Sequence, residues 1–362
     1  MYRFGDMPEV MKDIYHNNIR HMPFIAQMAL ATIAAFGMPI LLPVLIFFAC
    51  FALPLRIFNK LLSGSYKGTQ RLDGKTVLIT GPESGIGFEV AVNLARRGAR
   101  LILACYKASD ARATEAKIRE LSGNDKIVSK NFDQSDMRSV RQLADELNRE
   151  EEKIDILINN AGIQAWEQVV STTDDGLEYQ MAVNYFGAFL LTNLIIDLLK
   201  RAAPSRIINY GSVVHWRARE LDIDNLNFQK GGAGYFKIYG TSKLCVMLFT
   251  RELARRLQGT GVVANVLHPG LTDTPTYDRP QPFWFRVVNW LPRKLLFKTP
   301  EEGAQTTIYL AVAPEAEHMS GQYFTDCSPA SSSKLSQDPA MAKRLWDKSA
   351  ELVGLRDNER KI

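Results

Sequence analysis

One serine, one tyrosine and one lysine in the second half of the chain could carry out acid–base chemistry on a substrate oxygen. Tyr239 and Lys243 are four residues apart, so on a helix their side chains lie on one face. A tyrosine phenol, with a pKa of about 10, is a poor base at neutral pH, but a neighbouring ammonium group favours the phenolate and lowers that pKa. Ser212 could then hydrogen-bond a substrate oxygen while Tyr239 gives or takes its proton.

Two histidines are rival candidates for the base. His215 lies in a turn beyond a predicted strand end, and His268 directly precedes Pro269. Histidine titrates near neutral pH, but at these two positions we expect structural roles. The Tyr-x3-Lys spacing is weak evidence by itself, because surface helices often contain such pairs. The prediction therefore depends on the elements around it.

A glycine-rich stretch, residues 80–87 (TGPESGIG), lies between an apolar run and an amphipathic pattern. A strand, a glycine turn and a helix in this order are typical of a nucleotide site. Glycine lets the backbone approach a pyrophosphate, and the first N–H groups of the following helix face that anion. The spacing differs from the usual Gly-x-Gly-x-x-Gly, so an ordinary tight turn between a strand and a helix is the alternative.

Strands and amphipathic helices alternate along the rest of the chain. Repeated β–α units with apolar strands predict an α/β fold, a doubly wound (Rossmann) parallel sheet with helices on both faces. The predicted strands cover residues 76–79, 100–105, 127–132, 154–158, 206–210 and 262–267, and the predicted helices cover residues 111–121, 140–147, 176–199, 239–257 and 338–352. Ligands of such sheets bind at the carboxyl ends of the strands, where Asn160, Ser212 and Gly270 are found.

The N-terminal part of the chain is predicted to be a membrane anchor. Residues 22–55 contain no charged side chain and are numerous enough to cross a bilayer. Internal prolines could kink a single span or turn it into a hairpin, so both arrangements are open. The basic residues that follow predict, by the positive-inside rule, that the C-terminal domain faces the cytosol. We divide the chain into a polar segment (1–21), the anchor (22–55), a basic linker (56–72), a Rossmann-type domain (73–355) and a tail (356–362).

Composition argues against other classes of function. The formal net charge is +5, from 44 basic and 39 acidic side chains, and no basic run alternates with stacking aromatic residues. Nucleic-acid binding is therefore not predicted. The four cysteines have no metal-ligand spacing and indicate free thiols of a reducing compartment, so we predict no metal site.

With these motifs the chain resembles the short-chain dehydrogenases/reductases from about residue 73 to about residue 355. The resemblance rests on the glycine turn, Asn159-Asn160-Ala161-Gly162, Asn184, Ser212, Tyr239-x3-Lys243 and Pro269-Gly270. Within the family the chain is most similar to the membrane-anchored retinol-dehydrogenase-like branch, on residues 251–257 (RELARRL), 268–270 (HPG), 298–304 (KTPEEGA) and 344–346 (RLW).

The resemblance implies a role for each matching residue. Tyr239 would be the general acid/base, and Lys243 would hold the nicotinamide ribose and lower the pKa of the tyrosine. Ser212 would orient the substrate oxygen, and Asn184 would position a water in a proton relay. The cofactor would be contacted by Gly81, Ser84, Gly85, Ile86, Gly87, Asp133, Asn160, Ala161, Gly162, Tyr239, Lys243, Pro269, Gly270 and Thr274, with Asp133 at the adenine and Thr274 at the nicotinamide amide. Lys107 joins this set by its charge after the second predicted strand, where the family usually has Cys-Arg-Asp and this chain has Cys105-Tyr106-Lys107.

The choice of cofactor depends on the end of the second predicted strand. NAD-preferring relatives place a carboxylate there, which bonds the ribose 2′-hydroxyl and would repel a 2′-phosphate. This chain has Cys105 at the strand end and Lys107 two residues later. We therefore predict NADP, with NAD as the alternative. A lysine discriminates less sharply than the bidentate fork of an arginine would.

Aromatic and basic residues alternate after Thr274, at residues 283–298. This stretch is either a helix packed on the domain or a substrate lid that touches the bilayer. We predict an oxidoreductase that interconverts a lipophilic alcohol and its aldehyde or ketone (retinoid-like, steroid, polyprenoid or fatty aldehyde), in the reductive direction. The predicted location is the membrane of the endoplasmic reticulum, and a lipid droplet or another organelle is the alternative. The alternative function is a membrane-tethered nucleotide-binding protein without turnover, and a homo-oligomer is an open question.

Overall fold

The structure is a computed structural model that describes residues 50, 53–164, 170–230, 234–274, 293 and 296–362. Residues 1–60 and residues 61–362 form two compact units. The strands are β1 (Thr76–Thr80), β2 (Arg100–Cys105), β3 (Ile127–Asn131), β4 (Ile156–Asn159), β5 (Ser205–Tyr210), β6 (Val262–His268), β7 (Tyr323–Thr325) and β8 (Ser328–Pro329).

The helices between and around these strands complete the alternation. They are α1 (Leu53–Leu62), α2 (Gly85–Arg96), α3 (Ala108–Ser122), α4 (Met137–Glu150), α5 (Tyr179–Met181, the π-helical Ala182–Phe186 and Gly187–Leu194), α6 (Ile196–Arg201), α7 (Tyr235–Arg256), α8 (Pro300–Val312) and α9 (Pro339–Leu352). Short 3₁₀ turns lie at Val213–Arg217, Ile223–Asn225, Pro314–His318, Leu335–Gln337 and Asp357–Glu359.

The strands form one sheet in the order β3-β2-β1-β4-β5-β6-β7-β8. All neighbours pair in parallel except β7 and β8. After β3 the chain crosses from the edge back past β1, so the strand order reverses between β1 and β4. Ligands of open parallel sheets bind in the crevice that such a reversal opens at the carboxyl ends of the strands.

Both faces of the sheet are covered, which confirms the predicted Rossmann-like fold. Successive side chains of a strand point to opposite faces. Val77 and Ile79 accordingly pack into one apolar cluster, with residues of α2 and α8, while Leu78 packs into the other, with residues of α4, α5, α7 and α9. All five residues of β1 are buried, as expected of a central parallel strand.

Two features of the region after β6 were missed from the sequence. Helix α8 begins with a capping box between Thr299 and Glu302 and has Pro300 in its first turn, a start signal that was available in the sequence. Strands β7 and β8 are three and two residues long, too short for a periodic pattern.

The long helix predicted at residues 176–199 is interrupted at Ile195, where φ is −106° and ψ is 10°.

The predicted anchor, residues 22–55, lies outside the described residues except for Cys50 and residues 53–55. In the part of the chain that the structure describes, no helix has both the length and the apolar character needed to cross a membrane. Most of the aromatic and basic stretch at residues 283–298 also lies outside the described residues.

Candidate active site

The glycine turn between β1 and α2 packs against the end of β4. Gly81 has a φ of +67° and Gly85 a φ of +58°, conformations that favour glycine. A Cβ on Gly81 would lie 2.9 Å from the Cα of Ala161, and a Cβ on Gly87 would lie 2.4 Å from Nδ2 of Asn160. Close packing therefore requires glycine at positions 81 and 87.

Asn160 and Ala161 hold this turn through hydrogen bonds. Nδ2 of Asn160 donates to the carbonyl oxygens of Thr80 at 2.9 Å and Gly81 at 2.8 Å. The Ala161 amide donates to Oγ1 of Thr80 at 3.0 Å. The amide group of Asn160, predicted as a cofactor contact, is thus committed to shaping the turn.

Helix α2 begins at Gly85, directly after the turn. Its N-cap, Ser84, makes no side-chain cap hydrogen bond, and the first turn of the helix holds no acidic residue. N-terminal N–H groups that no side chain caps attract anions. The turn and the helix N-terminus together therefore fit the pyrophosphate of a dinucleotide.

Ser212 lies two residues beyond the end of β5. It is buried, and its Oγ accepts a hydrogen bond from the Val214 amide at 3.2 Å, which caps a 3₁₀ turn. A Cβ on the preceding Gly211 would lie 2.8 Å from Cγ2 of Val266 on β6. The glycine thus lets the chain leave β5 close to its neighbouring strand, and this sets the position of the serine.

Tyr239 and Lys243 lie one turn apart on α7, with Nζ of Lys243 5.7 Å from the centre of the Tyr239 ring. Lys243 is only 5% exposed, and its Nζ donates a hydrogen bond of 2.8 Å to the carbonyl oxygen of Tyr210. Burial lowers the pKa of Lys243 to about 8. At neutral pH the lysine is therefore still mainly charged, and it places a positive charge beside the phenol.

Asn184 lies behind the wall of the site, in the π-helical stretch of α5. Its Oδ1 accepts from the Ile163 amide at 2.7 Å, and its Nδ2 donates to the Ile163 carbonyl oxygen at 2.9 Å and to Oγ of Ser242 at 3.1 Å. A Cβ on Gly162 would lie 3.3 Å from Oδ1 of Asn184 and 3.6 Å from Nζ of Lys243. Both groups thus lie close to the same point beside Gly162. The relay role of Asn184 stays a prediction.

One cavity of about 580 Å³ brings the other predicted residues together. It is lined by Gly81, Ser84, Gly85, Ile86, Gly87, Lys107, Asp133, Asn160, Ala161, Gly162, Ser212, Tyr239, Lys243, Pro269, Gly270 and Thr274. We call Ser212, Tyr239 and Lys243 the β5 end of this cavity, and Glu83, Tyr106 and Lys107 the β2 end. The individual roles predicted for these residues stay predictions.

Several residues that line the cavity were not predicted. They include Glu83, Tyr106, Asp110, Phe132, Gln134, Tyr179, His268, Leu271 and Thr272. Tyr106, Phe132 and His268 lie at or just after strand ends, so the rule that led to Ser212 could have found them. Glu83 lies inside the glycine turn, where the glycine pattern assigns no role to the side chain between the glycines.

Glu83 brings a carboxylate to the end of β2. Its Oε1 accepts a hydrogen bond from the amide of Tyr106, the first residue after the strand. The argument for NADP assumed that no carboxylate lies at this place. The structure corrects that assumption, because the carboxylate comes from another loop. Lys107, which the same argument invoked, also lines the cavity and is exposed.

Asp133, predicted to bond the adenine, lies just beyond β3. Its Oδ1 accepts hydrogen bonds from the amide of Ser135 at 2.8 Å and from the hydroxyl of the same residue at 2.6 Å. These bonds fix the carboxylate in a turn at the cavity wall.

The loop after β6 is hydrogen-bonded to Lys298, which lies two residues before the start of helix α8. Lys298 donates from its amide to the Leu271 carbonyl oxygen at 2.7 Å, and its own carbonyl oxygen accepts from the Asp273 amide at 2.9 Å. Gly270 has a φ of +86°, and a Cβ there would lie 2.8 Å from Cδ of Lys298. This pairing holds Pro269 to Thr274 against the cavity.

The two histidines differ in their surroundings. His215 is fully buried, with Nδ1 2.6 Å from the Ser212 carbonyl oxygen, and its Nε2 accepts from the Ser333 amide at 3.2 Å. Burial lowers its pKa, and both ring nitrogens are committed, so His215 supports the loop that carries Ser212. His268 lines the cavity, and burial, with a smaller effect from Lys298, lowers its pKa to about 4. A group of that pKa is a weak base for proton transfer.

The chain is similar to known proteins in sequence and in fold. The family profile described as enoyl-(acyl carrier protein) reductase matches residues 81–325. The chain is 42% identical over 299 residues to retinol dehydrogenase 13 of Homo sapiens, covering 81% of this chain and 88% of that one. It is 41% identical over 305 residues to retinol dehydrogenase 14 of Homo sapiens, covering 78% and 88%. A solved short-chain dehydrogenase from Burkholderia cenocepacia J2315 in complex with NADP superposes with a TM-score of 0.57 at 28% identity, covering 71% of this chain and 97% of that one.

Proposed function

The chain belongs to the short-chain dehydrogenase/reductase family, and we propose that it interconverts a lipophilic alcohol and its aldehyde or ketone with NADP(H), in the direction of carbonyl reduction. One observation carries the proposal. Ser212, Tyr239 and Lys243 line the same cavity as the glycine turn. A protein that only binds a nucleotide has no need of this trio.

The β5 end supplies the proton chemistry. When bound, the nicotinamide cofactor supplies the hydride that forms the new C–H bond. Tyr239 donates its phenolic proton to the carbonyl oxygen as the C=O π bond breaks. Oγ of Ser212 accepts from the Val214 amide, so its own proton is available to hydrogen-bond the same oxygen. The ammonium group of Lys243 stabilises the phenolate that remains on Tyr239.

The rest of the cavity fits the cofactor. The glycine turn and the N-terminus of α2 would hold the pyrophosphate, and Asp133 would contact the adenine. Lys107 would attract a 2′-phosphate as a point charge. The NADP complex of the Burkholderia relative supports the assignment of NADP(H), with NAD(H) as the alternative.

Apolar side chains around the β5 end support a lipophilic substrate. Val213 and Trp216, which follow Ser212, are 46% and 51% exposed, and Leu271, which lines the cavity, is 52% exposed. Exposed apolar side chains beside a cavity favour apolar ligands. The names of the two human relatives make a retinoid-like alcohol or aldehyde the first substrate to test.

We infer a membrane location from the charge-free residues 22–55, with the catalytic domain on the cytosolic side. The endoplasmic reticulum is the first organelle to test. The full-length chain should then stay with membranes after an alkaline carbonate wash. Deletion of residues 1–60, which end at the boundary between the two compact units, should release a folded protein. Recovery of the full-length chain in the soluble fraction would contradict the anchor.

The proposed reaction is tested with purified full-length protein and a panel of lipophilic aldehydes and ketones, each with NADPH and with NADH. We expect oxidation of the reduced cofactor with at least one lipophilic carbonyl compound. Cofactor binding without turnover on any member of the panel would favour the alternative, a membrane-tethered nucleotide-binding protein.

A further inference from the structure

The β2 end contains an acidic side chain, Glu83, that the proposed reaction does not use. Glu83 lies inside the glycine turn, yet its carboxylate accepts a hydrogen bond from the amide of Tyr106, which lies 23 residues later in the sequence. It is partly buried and lines the cavity together with Lys107 and Asp110. The bond to a backbone amide holds the carboxylate at the strand end.

This strand end is where dinucleotide sites of parallel sheets distinguish their cofactors. A carboxylate there accepts a hydrogen bond from the ribose 2′-hydroxyl, and it repels a 2′-phosphate. The carboxylate usually belongs to the strand end itself. In this chain the strand ends in Cys105, and Glu83 delivers an equivalent group from the preceding turn.

Side chains of both charge signs line the cavity at and next to the β2 end. Lys107 contributes one positive charge, while Glu83 and Asp110 contribute two negative ones. Burial raises the pKa of Glu83, the amide of Tyr106 opposes that shift, and Asp110 adds a small further rise. A carboxylate in partly desolvated surroundings interacts more strongly with a nearby phosphate than an exposed one does.

We infer that Glu83 is a cofactor-selecting residue, which accepts the 2′-hydroxyl of the adenine ribose and opposes a 2′-phosphate, so that it offsets Lys107. This inference rests on the proposed function. A 2′-phosphate at this strand end would lie next to the carboxylate that the Tyr106 amide holds there. The protein should therefore bind NADP(H) and NAD(H) with a narrower difference in affinity than Lys107 alone would produce.

The test is a binding measurement that does not depend on turnover. Full-length wild type and Glu83→Gln are titrated with NADPH and NADH, and with adenosine 2′,5′-bisphosphate and adenosine 5′-monophosphate, which probe the adenine end alone. Glutamine can still accept from the Tyr106 amide, so the variant keeps the turn and removes only the charge. We expect the affinity ratio of NADPH to NADH to rise about tenfold, and the ratio of the two adenosine probes to rise in parallel.

Glu89→Gln is the matched control, because Glu89 lies on α2 and does not line the cavity. Its ratios should equal those of the wild type. If both cofactors bind Glu83→Gln with unchanged ratios, Glu83 only shapes the turn and the inference is wrong. If the wild type binds neither cofactor, the proposed function fails and the inference fails with it.

Discussion

The two ends of the cavity are built in different ways. At the β5 end, Lys243 is 5% exposed and Ser212 is 6% exposed, and both bond backbone groups of β5 or of the turn that follows. At the β2 end, Tyr106 is 54% exposed and Lys107 is exposed, and the principal contact is one carboxylate on one amide. Buried groups with fixed partners suit chemistry, which needs an exact geometry, whereas exposed charges suit selection between related ligands.

This contrast makes different predictions for the two ends. Substitutions at the β5 end should change turnover or stability strongly. Substitutions at the β2 end should change the preference between cofactors and leave turnover and stability nearly unchanged.

The largest effect is expected for Tyr239→Phe. Phenylalanine keeps the shape of the side chain and deletes the proton donor, so kcat should fall by about 10²- to 10⁴-fold. The dissociation constant of NADPH, measured by fluorescence titration, should stay the same. A variant that turns over at nearly the wild-type rate would remove the distinction between the two ends.

Lys243 tests whether the β5 end is desolvated. The folded-state pKa of Lys243, about 8, lies below its unfolded value of about 10.5. Burial of the charged lysine therefore costs free energy of folding, and this cost has its full value below pH 8. That cost should decrease as the pH rises from about 8 and vanish above about 10.5. The free energy of unfolding of Lys243→Met relative to wild type should therefore fall by roughly 2–3 kcal/mol between pH 7 and pH 10.5. Denaturant unfolding measures it, and a difference that does not change with pH would contradict the burial of the charge.

The glycine turn offers a matched pair of variants. Gly81 and Gly123 both have a φ of +67°, but a Cβ on Gly81 would meet Ala161, whereas nothing lies within 4 Å of a Cβ on Gly123. Both alanine variants should lose about 1–2 kcal/mol of stability from backbone strain. Gly81→Ala should in addition bind NADPH about tenfold or more weakly, because the turn must shift. Equal NADPH affinities in the two variants would place the phosphates elsewhere.

The smallest effect is expected at Lys107. Its ammonium group is exposed, so Lys107→Ala should lower the ratio of kcat/KM with NADPH to that with NADH by only about three- to tenfold. The melting temperature should not change. An unchanged ratio would show that Lys107 does not recognise the 2′-phosphate.

The β5 end could be predicted from sequence because its signals are local. Tyr239 and Lys243 are four residues apart on one helix, and Ser212 follows an apolar strand closely. The parallel sheet was equally accessible, since buried strands such as β1 and β2 contain continuous apolar runs.

The β2 end could not be predicted in the same way. The contact between Glu83 and the Tyr106 amide depends on how the glycine turn folds over β2, and no periodicity encodes a contact between a side chain and a backbone group in another loop. The position of Asn184 beside Gly162 likewise depends on the π-helical stretch of α5, which no pattern in the sequence indicates.

The most direct test of the proposed chemistry follows the transferred hydrogen. NADPH that carries deuterium at the reactive position of the nicotinamide is incubated with retinaldehyde or another lipophilic aldehyde that the panel identifies, and the alcohol product is analysed by mass spectrometry. The account predicts one deuterium on the carbinol carbon with the wild type, and at most about one hundredth of that rate with Tyr239→Phe. An alcohol without deuterium, or the same rate in the variant, would contradict it.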